Sequence, residues 1–204
     1  MRALLFLLAL VSLHVPAADQ PLKVGGGETG FDFTALNASG QPATPTAGAT
    51  PHSCVRDNIT GLVWEVKTAD GGLRDRNWTY TWYASLHNQG GKPGMASGGS
   101  CKNTGRCDTE KYVADVRATA LCGFSDWRMP SRQELQRIAL MGRDNPGDAL
   151  TYFPNTPSSY CWSGSPKTDG LSYAWYVDFN YGLVFHVTRS HGFQGLVRLV
   201  RGGK

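Results

Sequence analysis

The chain has 204 residues, of which 41% are hydrophobic and 18% charged; this is enough apolar material for one medium domain and excludes a wholly disordered chain. Its 25 glycines, 11 prolines and six tryptophans exclude a plain helical bundle and imply many turns. The net charge of +4 is mild and its basic residues form no run of five, so the composition makes no case for nucleic acid as a partner.

Met1-Arg2 is a short positive start, and Ala3 to Leu13 is almost wholly apolar. Val15 and Ala17 supply small residues ahead of a cut after Ala17, so residues 1–17 read as a signal peptide. The run is about half the length of a bilayer span, which disfavours a membrane anchor. No other stretch reaches spanning length. The mature chain is therefore expected to be exported, to the periplasm or to the cell surface and beyond, with no membrane span after cleavage. Residues 18–50 read as a loosely ordered segment with a short strand at 31–34, and Gln41 to Pro51 as a loop. Residues 51–202 read as one domain.

Within that domain, Asp57-Asn58 and Thr60-Gly61 are turn residues, and Leu62 to Val66 reads as a strand. Trp78 to Trp82 alternates aromatic residues with threonine, as a strand does, and its aromatic stripe reads as a buried face rather than a sugar platform. Asn88 to Gly105 carries six glycines and reads as loop. A helix is predicted from Glu110 to Leu121, capped by Asp108 or Thr109 and closed by Gly123. A second begins at Ser131, where Ser131-Arg132-Gln133-Glu134 fits a capping box, with Leu135, Ile138 and Ala139 as its buried stripe. Four strands close the chain: Tyr160 to Ser163, Ala174 to Phe179, Leu183 to Thr188 and Leu196 to Arg201. Asn180-Tyr181-Gly182 turns the middle pair into a hairpin. Two helices with six or more short strands make an α+β domain.

There are five cysteines. In an exported chain disulfides are the default. Cys101 and Cys107, close together in a Gly- and Lys-rich loop, would staple it. Cys54 and Cys122 are the expected long-range pair, with other connectivities open, since four cysteines allow three. Cys161 is then a buried thiol. Zinc-finger spacing is missing, and Asp57-Asn58 and Asp144-Asn145 read as turns rather than calcium ligands, so neither a metal nor a cofactor is expected.

Several blocks resemble one family. Cys54-Val-Arg-Asp-Asn-Ile-Thr-Gly-Leu-Val-Trp-Glu is followed by Leu121-Cys-Gly-Phe-Ser-Asp-Trp-Arg-Met-Pro-Ser-Arg-Gln-Glu-Leu. Tyr152-Phe-Pro-Asn-Thr, Trp162-Ser, Ala174-Trp-Tyr-Val-Asp-Phe and Val197-Arg-Leu-Val-Arg then come in order. The order resembles the Legionella collagen-like protein C-terminal domain family over residues 31 to 202. Met129 stands where leucine is expected, and Cys161 where the family is often aromatic. The resemblance implies a C-type-lectin-like fold, with two helices flanking small antiparallel sheets and long irregular loops. It also implies kinship with a surface adhesin that binds sulfated glycans. This chain carries no collagen repeat.

Asp126-Trp127-Arg128 reads as structural, with Trp127 in the core and Arg128 paired to a buried acid, Glu65 or Glu134. The late hairpin is the better candidate site. Alternation groups Trp175, Val177 and Phe179 with Leu183, Phe185 and Val187 as its core face. The other face would carry Tyr176, Asp178 and His186 outward, near Asn180 and Tyr181 at the turn and Arg189 and His191 in the next loop. Rings, an acid, an amide and basic groups suit a polar ligand. No hydrolase, zincin or phosphate-loop motif occurs, and His52, His87, His186 and His191 have no evident catalytic partner. The expected function is a non-enzymatic binding or adhesion module recognising a glycan or a surface or extracellular protein. The alternatives are an assembly component of a surface appendage and, less favoured, a cysteine-dependent enzyme.

Overall fold

The computed structural model describes residues 31–45, 52–85, 93–144, 151–167 and 172–203. The expected signal peptide and residues 18–30 lie outside them, as do His87, Asn145 and parts of the predicted loops. The domain is α+β. Its elements in order are β1 (Phe33–Leu36), β2 (Pro42–Ala43), β3 (Cys54–Asp57), β4 (Val63–Glu65), β5 (Tyr80–Thr81), α1 (Thr109–Ala118), α2 (Arg132–Asp144), β6 (Tyr160–Pro166), β7 (Tyr173–Asp178), β8 (Leu183–Thr188), β9 (Gln194–Gly195) and β10 (Val200–Arg201).

They form three small sheets: a five-stranded one ordered β10-β4-β3-β1-β2, a pair β5-β9 and a three-stranded β6-β7-β8. Every pairing among these strands is antiparallel. The five-stranded sheet is apolar on both faces. Ala35, Val55, Trp64 and Val200 are register partners in one row. They bury into a core completed by Leu135, Ile138 and Ala139 of α2. Leu36, Cys54 and Val63 bury into a second core with Tyr112 and Val116 of α1. The two helices thus flank the sheet, each supplying one apolar stripe.

β1 starts two residues later than predicted and lies wholly inside, so the chain before Cys54 contributes a buried strand. Of the Trp78–Trp82 run only Tyr80 and Thr81 form a strand, and Tyr80 and Trp82 are buried as expected. Asp108, not Thr109, caps α1, its carboxylate accepting from Lys111 N at 2.9 Å. α1 ends at Ala118 rather than Leu121, because Ala120 turns to φ +48° and a short 3-10 turn follows at Leu121–Gly123. The capping box of α2 is formed: Glu134 N donates to Ser131 Oγ at 3.2 Å, and Ser131 N to Glu134 Oε2 at 2.7 Å.

Both expected disulfides are present, Cys54–Cys122 and Cys101–Cys107, and Cys161 is a free, buried thiol. Trp127 is fully buried, its indole N–H donating to Leu121 O and Phe124 O. Arg128 grips Glu134 with two N–H groups at 2.8 and 2.9 Å. Glu65, the other acid considered, lies in the core. It bonds Tyr112 Oη, takes Lys67 Nζ at 3.1 Å and accepts from Leu199 N at 2.8 Å. Burial lowers the basicity of Lys67 and raises the Tyr112 phenol. Among the described residues no helix is long and apolar enough to cross a membrane.

Candidate functional site

The hairpin of β7 and β8 is the site the sequence suggests. Its turn is built firmly. Asp178 Oδ1 accepts from Asn180 N at 2.8 Å, and Gly182 N donates to Asp178 O at 2.8 Å. Gly182 sits at φ +68°, a conformation that favours glycine, and a side chain there would also push against Leu140 Cδ2 at 2.6 Å. Gln136 Nε2 reaches Gly182 O at 3.1 Å and ties the turn to α2.

The register corrects the expected faces. Asp178 opposes Leu183, Tyr176 opposes Phe185, and Trp175 opposes His186. Directly opposed residues share a face, so even positions on β7 face with odd positions on β8. Tyr176 therefore stands with Phe185, not with His186, and Trp175 stands with His186. Alternation within each strand was read correctly; the phase between the strands was not.

The face away from α2 carries a cluster of rings. Tyr176 stacks on Phe185 at 5.7 Å and on Phe193 at 5.3 Å, and meets Tyr160 edge-on at 5.2 Å. Trp162 lies beneath, edge-on to Tyr176 and Phe193 at 6.1 and 5.4 Å. Its indole N–H donates to Tyr80 O at 2.7 Å, which fixes the floor of the cluster. Tyr160 and Phe185 are each 41% exposed, and Leu183 beside them 52%. Exposed apolar groups in contact with one another are the feature that marks interaction surfaces; isolated ones carry no such meaning.

The α2 face is different. Its inner half, with Val177 and Cys161, packs into the α2 core. Its outer half holds Tyr173, Trp175 and exposed His186, whose ring lies 5.2 and 5.1 Å from the two aromatic rings. The Arg132 guanidinium stands 4.8 Å over Trp175, and Lys167 Nζ lies 5.5 and 5.6 Å from Tyr173 and Trp175. Cations over ring faces are favourable contacts, so this edge carries positive charge on an aromatic base.

The seven predicted residues divide accordingly. Tyr176 belongs to the ring cluster. Asn180 and Tyr181, the latter 62% exposed, cap the open turn. His186 is exposed on the opposite face, and His191 is exposed in the loop, bonded to Thr188 Oγ1. Two residues leave the set. Asp178 is buried and spends its carboxylate on the turn. Arg189 is 6% exposed, donates from Nε to Tyr173 O at 2.8 Å and lies 4.0 Å over Trp82; burial lowers its basicity. Sequence reasoning missed Tyr160, Leu183, Phe185 and Phe193, having assigned Leu183 and Phe185 to the core. Three odd-numbered apolar residues at an edge strand were the available signal.

A family model, the Lcl C-terminal domain, matches residues 53–201, and the chain belongs to that family. No curated protein matches the chain.

Proposed function

We propose that this member of the Lcl C-terminal domain family is an exported, non-enzymatic binding module of C-type-lectin-like fold. Its ligand surface is the ring cluster of the β6–β7–β8 sheet, and a glycan is its ligand. The observation that carries this reading is the contact of Tyr160, Tyr176 and Phe185 beside the exposed turn, over a floor fixed by Trp162. Sugar rings present apolar C–H faces that lie well on such a surface. Tyr181 and the Asn180 amide at the turn supply polar contacts at its end. Arg132, Lys167 and His186 on the other face add attraction for acidic groups.

Export is supported by the signal-like start and by two disulfides, which persist in oxidising compartments. A non-enzymatic role is supported by the cysteines. Cys101 and Cys107 are bonded to each other, and burial pushes the Cys161 thiol up to about 11, away from a reactive thiolate. A second reading, attachment to a protein of a surface assembly, is favoured by one observation: β8 is an edge strand with no Lys, Arg, Asp, Glu or Pro along Leu183–Thr188.

The test is a glycan array with sulfated and neutral glycans at two salt concentrations, run on oxidised protein, with Phe185→Ser and Tyr160→Ser variants alongside. Stacking on the ring cluster predicts binding that resists salt and falls at least about tenfold in either variant. Binding to sulfated chains alone, fading with salt and indifferent to both variants, would move the site to the cationic edge. Absence of any glycan binding, with capture of a co-exported protein that depends on Phe185, would establish the second reading.

A further inference from the structure

A cleft of about 260 Å³, separate from the hairpin, opens between the loop after β4 and the segment leaving α1. Asp70 and Arg74 line it from the loop, with Ser53 and Thr68 beside them and the backbone from Thr119 to Cys122 opposite. That opposite wall is held in an unusual shape. Ala120 and Cys122 have φ of +48° and +54°, a conformation L-residues avoid, and the disulfide to Cys54 pins Cys122 there.

The two charges are positioned and left open. Asp70 is exposed; its Oδ1 accepts from Thr68 Oγ1 at 2.7 Å and Gly72 N at 2.8 Å, which fixes the carboxylate. Those two bonds hold its pKa below the usual value. Arg74 is half-buried, and its Nη1 donates to Ser53 O at 3.2 Å and Val66 O at 2.6 Å. These bonds clamp one edge of the guanidinium and leave Nη2 and Nε without a protein acceptor among the described residues. Asp70 and Arg74 line one cleft, yet no ion pair joins them or links either to another described residue. An acid and a guanidinium that face one space without touching present separate subsites for an ammonium and a carboxylate.

We propose that this cleft binds a free α-amino acid, whose carboxylate takes the open edge of Arg74 and whose ammonium takes Asp70. A planar fork of donors suits a carboxylate. Thr68 holds the Asp70 carboxylate in place from beside the cleft, and Leu73 and Leu121 offer apolar contact to a side chain. The site is independent of the ring cluster, so the failure of either proposal leaves the other standing.

The experiment is an NMR titration of the oxidised, ¹⁵N-labelled protein with the common free L-amino acids, each at up to about 10 mM, a range that detects millimolar affinity. For the best binder, the N-acetyl and carboxamide derivatives each remove one charge. The expected result is that amides of Asp70, Arg74 and Thr119–Cys122 shift, and that each derivative binds at least about tenfold more weakly. Asp70→Asn, which keeps the acceptor for Thr68 and Gly72, is expected to weaken binding by a similar factor with an unchanged melting temperature. The proposal is overturned if no amino acid moves these resonances, or if single-charge derivatives or Asp70→Asn bind as well as the parent pair.

Discussion

His52 shows how one side chain couples the core to pH. It is 1% exposed, and its Nε2 lies 2.8 Å from Tyr152 O. A carbonyl only accepts, so Nε2 carries the proton and Nδ1 is the bare nitrogen. Nδ1 is buried with no partner among the described residues. Protonation would create a buried charge with an unsatisfied N–H, and burial accordingly lowers the His52 pKa from 6.5. The unfolded chain then binds the proton more tightly than the folded one. The stability that follows is complete above the unfolded value near 6.5 and is lost as pH falls below it toward the folded value. Denaturant unfolding from pH 7.5 down to 5 is expected to show falling stability, with the slope flattened in His52→Leu; an unchanged slope in that variant would assign the effect elsewhere. Some residue roles were legible in the sequence. Trp127 and the Arg128–Glu134 pair are local, their partners lying within a few positions. The roles of Asp178 and Arg189 were not. Asp178 serves the turn through a bond from Asn180 N only two positions on, a local signal that its place in a strand face masked, whereas only three-dimensional packing reveals that Arg189 lies over Trp82.

At the scale of elements, α2 is the piece most fully written in local sequence. Ser131 and Glu134 satisfy each other's backbone N–H groups, and Arg128 braces Glu134 from the preceding turn. Ser131→Ala is expected to cost about 1 kcal/mol, read as a lower denaturant midpoint at unchanged m-value. Cap and stripe are patterns of three and four residues, which is why they were readable. The hairpin register is of another kind. Periodicity sorts residues to two faces within β7 and within β8. The relation between the two sets depends on the count of residues through Phe179–Gly182 and on the bond from Gly182 N to Asp178 O. A phase error of one residue moves every side chain to the other face, and it exchanged Phe185 for His186 in the candidate site.

For the whole molecule, the two disulfides do unequal work. Cys54–Cys122 spans 68 positions and joins β3 to the turn after α1; Cys101–Cys107 spans six within a loop. Loop-closure entropy assigns them about 4 and about 2 kcal/mol respectively. Calorimetry of the paired Ala variants is expected to show the larger drop in melting temperature for Cys54/Cys122, and equal drops would contradict that division. The five-stranded sheet was the least legible assembly. Its β1 comes from a segment whose glycine- and alanine-rich surroundings carry no periodicity, and its ends β2 and β10 have two residues each. The family match begins at residue 53, while the sheet reaches back to Phe33. Cys161 lies in β6, facing the α2 core, and is the one thiol left unpaired. It is thereby a built-in stopwatch. An alkylating reagent has no access until β6 separates from α2, so the labelling rate in native buffer times the opening of this core without any added probe.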